Sequence, residues 1–96
     1  MIYLELAYLS LVRTILEKHL PEKKVMVFGS RVKGQIKPYS DLDLCIMGQE
    51  LLSIDKIANL REDFSNSDLP MRVDLVEWAG LTPDFQMLIS EQGELI

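Results

Sequence analysis

The chain has 96 residues, of which 48% are hydrophobic, and a net charge of −5. That length fits a single domain, residues 1–96, with one core and little left for a separate substrate-binding domain. The acidic balance argues against general nucleic-acid binding, which shows a basic footprint, and the longest uncharged run, Leu6 to Val12, falls far short of the roughly 18 residues of a membrane span.

In chain order, Ile2, Leu6, Leu9, Val12, Leu16 and Leu20 recur at steps of three or four and predict an amphipathic helix over 2–20, stopped by Pro21. His19 falls in its last turn, where an imidazole interacts well with the helix dipole. Lys24–Phe28 is a short strand rich in β-branched and aromatic residues, ended by Gly29. Ser30–Gln35 reads as a short helix or turn, and Pro38-Tyr39-Ser40 as a loop. Asp41–Met47 reads as a strand that enters the core. Residues 53–64 form a second amphipathic helix with Ile54, Ile57, Leu60 and Phe64 as its stripe and Ser53 as N-cap. Met71–Trp78 is a third strand, and Pro83 opens a last helix to about Glu91, with Thr82 before it. The fold class is α/β (α+β): helices packed on a small mixed sheet.

Charge is unevenly distributed. Residues 1–40 carry seven Lys/Arg against three Asp/Glu, whereas residues 41–96 carry three against twelve. A basic half that meets an acidic half suits a phosphate ligand with a divalent cation, and equally suits an ordinary uneven surface. The single Cys45 has no disulfide partner and reads as a small buried hydrophobe. With no leader peptide in view, a cytoplasmic setting is expected.

The chemistry centres on "GSRVKGQIKPYSDLD", residues 29–43. Side chains two apart on a strand share a face, so Asp41 and Asp43 project together while Leu42 and Leu44 enter the core. Paired carboxylates repel unless a cation or proton intervenes. A hard divalent ion such as Mg²⁺, completed by substrate phosphates, resolves this. Asp74 lies mid-strand between Val73 and Leu75. If its strand neighbours the Asp41 strand, three carboxylates meet at a two-ion centre suited to phosphoryl or nucleotidyl transfer. Gly29 lets backbone N–H groups approach a phosphate, and Ser30 can open a helix N-terminus and donate its hydroxyl. Arg31, Lys33 and Lys37 can neutralise a triphosphate. Each has a bland counterpart: a turn-capping role for Asp41 and Asp43, a solvent-facing edge charge for Asp74, and a solvated helix face for Arg31 and Lys33. Gly29 and Gly34 have the P-loop spacing, but Gln35-Ile36 replace its Lys and Ser/Thr. An EF-hand is excluded because Cys45 occupies a required oxygen-ligand position.

Gly29-Ser30, ten residues, Asp41-x-Asp43 and a later strand acid at Asp74 resemble the DNA polymerase beta-type nucleotidyltransferase superfamily. The short chain is similar to its minimal nucleotidyltransferase branch, the MNT antitoxins. The resemblance implies two Mg²⁺ ions on Asp41, Asp43 and Asp74, and ATP phosphates over Gly29 and Ser30. It also implies a HEPN-domain toxin as partner and transfer of AMP to a toxin tyrosine. Two alternatives stand beside this expectation. One is an antitoxin that neutralises by binding alone, and the other is nucleotidyl transfer to a small molecule.

Overall fold

The computed structural model describes all 96 residues. The elements run α1 (Leu6–His19), β1 (Val25–Phe28), α2 (Ser30–Lys33), β2 (Leu42–Ile46), α3 (Ile54–Ser65), β3 (Val73–Glu77), a 3₁₀ turn (Trp78–Gly80), α4 (Pro83–Gln92) and β4 (Glu94–Leu95). The sheet is mixed, with order β3-β2-β1-β4. β1 is antiparallel to β2 and β4, and β2 is parallel to β3. A parallel pair needs a long crossover, and α3 supplies it.

The two faces of the sheet are covered differently. Val25, Val27, Leu42, Leu44, Ile46 and Leu75 pack with Val12, Ile15 and Leu16 of α1 and Ile57, Leu60 and Phe64 of α3 in one cluster. On the other face, Phe28 meets Phe85 of α4 edge-to-face, ring centroids 5.7 Å apart. Cys45 and Ile89 are fully buried outside the main cluster. Burial pushes the Cys45 thiol up to about 11, so it behaves as the expected hydrophobe.

Helix boundaries follow local chemistry. Ser53 and Thr82 cap α3 and α4 by accepting from the Lys56 and Phe85 backbone N–H groups. Gly34, left-handed at φ 85°, ends α2 two residues before the expected stop. His19 lies in the last turn of α1 as expected, and its Nε2 sits 2.8 Å from Asp63 Oδ2 of α3.

Four features depart from the sequence reading. The first helix starts at Leu6 and not at residue 2: ahead of it the Tyr3 N–H donates to the Arg31 carbonyl at 2.7 Å, Ile2 and Leu4 pack against the core, and the Met1 ammonium pairs with Glu94. Leu6 and Ile54, placed in the apolar stripes by spacing, are 82% and 85% exposed. Each opens its helix, and the sheet lies beneath the later turns. The third strand starts at Val73, two residues later than expected. β4 was not anticipated: two residues are too few to show alternation, and pairing with Met26 and Val27 alone defines it.

Candidate active site

The parallel register of β2 and β3 sets Asp43 directly beside Asp74. Residues paired in register share a face, so both carboxylates project on the side opposite Leu42 and Leu44, the side on which α4 packs. Asp41 precedes β2 by one residue and extends the same row. On the other flank of Asp43, the antiparallel register pairs it with Phe28, so β1 ends against it and Gly29 follows at once. The three expected acids and the expected glycine therefore meet at one end of the sheet.

Gly29 has φ 76° and ψ −150°, a conformation essentially confined to glycine. A Cβ there would stand 2.5 Å from Asp43 Oδ2. Glycine is required here on two counts, the backbone angle and the closeness of the carboxylate. Ser30 then opens α2, a single turn in which the Val32 and Lys33 N–H groups donate to the Gly29 carbonyl, both at 3.2 Å, while those of Ser30 and Arg31 have no carbonyl one turn earlier. The Ser30 hydroxyl makes no hydrogen bond within the protein, which leaves it available to a ligand.

The expected cations separate. Arg31 is only 4% exposed. Its Nε and Nη2 donate to the Ser40 carbonyl at 3.2 and 2.8 Å, and its Nη1 to the Tyr3 carbonyl at 2.9 Å. These bonds hold the loop that leads into Asp41 and the N-terminal segment, and the structure does not aim the guanidinium at the acids. Lys33 and Lys37 are exposed, at the end of α2 and in the following loop.

Sequence reasoning missed Arg72. Its Nη2 donates to Asp41 Oδ2 at 3.1 Å and to Asp74 Oδ2 at 3.0 Å. The signal was present: Arg72 is two residues before Asp74, on the same side of an extended segment. Asp43 has no such partner. Its pKa is raised, first by burial, then by the charges of Asp74 and Asp41, against a smaller opposing effect of Arg72.

This donor set fits a divalent cation: hard carboxylate oxygens at the end of two adjacent strands, one of them destabilised by its like-charged neighbours. The three side chains do not, however, converge on one metal position. Arg72 bridges two of them, Asp41 and Asp74, and leaves Asp43 without a counter-ion.

Comparison with known proteins agrees with this geometry. The profile of the family described as "Polymerase beta, Nucleotidyltransferase" matches residues 11–96. A Haemophilus influenzae protein named "Probable protein adenylyltransferase MntA" is 51% identical over 81 residues, which span 84% of this chain and 71% of that protein. A solved toxin–antitoxin structure with AMP-PNP superimposes with a TM-score of 0.73 at 22% identity, covering 88% of this chain and 68% of that one. A second, of the toxin–antitoxin pair MntA-HepT, gives 0.69 at 18% identity over 95% of this chain and 70% of that one. No helix of this chain is long and apolar enough to cross a membrane. With its mixed sheet, its Gly-Ser turn and its acids in register, the chain belongs to the polymerase beta-type nucleotidyltransferase family.

Proposed function

We propose that this chain is an Mg²⁺-dependent adenylyltransferase that moves AMP from ATP to a tyrosine hydroxyl of a HEPN-type partner toxin, and thereby acts as its antitoxin. The observation that carries the reading is the Asp43–Asp74 register beside Gly29, which joins a carboxylate centre to a backbone turn free of side chains. The 51% identity to a protein named as a protein adenylyltransferase supports AMP as the group transferred. The fold shared with antitoxins solved beside their toxins supports a protein acceptor.

Asp41, Asp43 and Asp74 would hold Mg²⁺, which supplies charge neutralisation at the α-phosphate and a lowered pKa for the attacking hydroxyl. Gly29 and Ser30 present N–H groups and a hydroxyl to the phosphate oxygens. The acceptor oxygen attacks the α-phosphorus, the bond to the pyrophosphate oxygen breaks, and the hydroxyl proton leaves to solvent. A phenol suits the acceptor role because its pKa, about 10, is far below that of an aliphatic alcohol. Asp41 and Asp74 are 42% and 39% exposed, so the site is an open end of the sheet and not a closed pocket for a second small substrate. The acceptor then arrives on another protein surface, and holding it in line supplies much of the rate.

Incubation with ATP, Mg²⁺ and the partner toxin, followed by mass spectrometry, tests the reading. AMP is expected on a partner tyrosine, and Asp41→Asn and Asp43→Asn remove it. A tight, protective complex that forms without any adduct, and equally well with both variants, would replace transfer by neutralisation through binding.

A further inference from the structure

We infer that Arg72 is a displaceable counter-ion: in the metal-free protein its guanidinium bridges Asp41 and Asp74, and a divalent cation must expel it to gather the three acids. The inference rests on the reading of these acids as cation ligands, and it names what regulates their loading.

Three observations meet at this residue. One guanidinium nitrogen, Nη2, serves both carboxylates, at 3.1 and 3.0 Å. Those bonds take up Oδ2 of both carboxylates, and a divalent cation seated between the two acids would meet the guanidinium's positive charge there, so the two compete for the pair. The Arg72 side chain is 72% exposed, and nothing else in the protein accepts from it. Exposed pairs of this kind contribute little each, so the bridge is weak enough to yield. Arg31 provides the contrast within the same molecule. It is buried and its donors are fixed on main-chain carbonyls, so it has nowhere to go.

The consequence is a competition. With Arg72 seated, one oxygen of Asp41 and one of Asp74 are taken up by the guanidinium, and the three side chains form no ready cation site. With Arg72 expelled, its positive charge is freed at the rim of the site. The bridge thus sets a threshold of cation concentration below which the acids are closed.

The test is calorimetric titration of the wild type, Arg72→Gln and Arg72→Lys with Mn²⁺ and Mg²⁺, together with melting of the metal-free proteins. The competition predicts that Arg72→Gln binds the cation more tightly, by roughly five- to thirtyfold, the scale of one contact between a unit charge and a divalent ion in high-dielectric surroundings. It also predicts a lower metal-free Tm for Arg72→Gln, with a larger rise on saturation. Arg72→Lys should lie between, because it keeps the charge and loses the planar fork. Weaker binding by Arg72→Gln, restored by Lys, would overturn the inference and make Arg72 a residue that orients Asp74 for the metal. Unchanged affinity and Tm would overturn it too, because the bridge would then carry no energy. Binding by Arg72→Gln but not by the wild type would support it in its strongest form. Binding by neither protein would remove the cation-ligand reading along with the bridge's role.

Discussion

The strand β2 belongs to two regions of the molecule that obey opposite rules. On one side, Leu42, Leu44 and Ile46 lie in the apolar cluster beneath α1 and α3, the first two with no exposed surface. On the other, Asp43 faces Asp74 across a parallel register, and the charges of Asp74 and Asp41 oppose its ionisation. The first side adds stability with every methylene kept from water. The second holds like charges close together in the absence of a cation. One strand carries both because its side chains alternate, so a rigid apolar anchor and a strained polar site are separated by a single peptide unit. The anchor lets the site persist: groups that repel stay side by side only where the backbone is fixed by something else.

That contrast is broken most sharply by one substitution on each side. Asp43→Asn is expected to lower transfer by more than about 100-fold, since even residues that merely support metal ligands are worth 10- to 100-fold. The same change should leave the metal-free Tm unchanged or raised, because it removes a charge opposed by burial, Asp74 and Asp41. Leu44→Ala should behave in reverse. It opens a cavity in the cluster and costs about 2–5 kcal/mol, or a Tm drop of at least about 8 °C at 4–8 °C per kcal/mol. In any Leu44→Ala protein that remains folded, adenylyl transfer should persist. Thermal melts and initial rates on the two variants give both readouts. A fall in Tm for Asp43→Asn comparable to that of Leu44→Ala would make Asp43 a structural residue.

How much of this was legible in the sequence follows from the range of the forces involved. Alternation within "DLDL" gave the facing of Asp41 and Asp43 with no knowledge of the fold, because the strand period is local. Ser53 and Thr82 were readable as helix starts for the same reason. The partnership of Asp43 with Asp74 depends on which strands adjoin, so it could only be stated conditionally. Leu6 and Ile54 have helical spacing yet face water, since spacing defines a stripe but not where the sheet ends beneath it. Arg31 and Arg72 show the limit most clearly. Both are arginines near the motif, and sequence placed the first at the phosphates and passed over the second. The structure buries Arg31 against two carbonyls and sets Arg72 on two acids, a distinction made entirely by tertiary contacts.

A smaller effect sharpens the boundary between the two regions. Gly29 lies where β1 leaves the apolar anchor and turns past Asp43. Gly29→Ala imposes a backbone conformation that alanine avoids, at a cost of about 1–3 kcal/mol. It also drives a methyl toward Asp43 Oδ2. Stability and transfer should therefore fall together, unlike in either substitution in β2. A denaturant melt with parallel rate measurement checks the pairing. Full activity in a destabilised Gly29→Ala protein would show that the Asp43 carboxylate moves aside freely, contrary to a fixed site.

The smallest expected effect compares two carboxylates by pH. Asp63 is held below the usual range, chiefly by its hydrogen bond from His19 and then by Lys18. Its folded pKa lies under its unfolded value near 4. The stabilisation is therefore present above that unfolded value and is lost as pH falls through the folded one. Asp43 has the opposite sign. Its folded pKa is raised, so in the metal-free protein the cost of ionising it is absent below the unfolded value and grows as pH rises through the folded one. Metal-free melts from acid to neutral pH should show Asp63→Asn converging on the wild type in acid and lying below it at neutral pH. Asp43→Asn should also converge in acid but lie at or above the wild type at neutral pH. Saturating Mg²⁺ should erase the advantage of Asp43→Asn, since a bound cation rewards the ionised carboxylate. It should leave the Asp63→Asn deficit in place, because Asp63 bonds His19 and Lys18 between α1 and α3, away from the acids. A Mg²⁺-dependent change in the Asp63→Asn deficit would mean that the helical face and the acidic end are energetically coupled, and the division of β2 into two independent sides would fail.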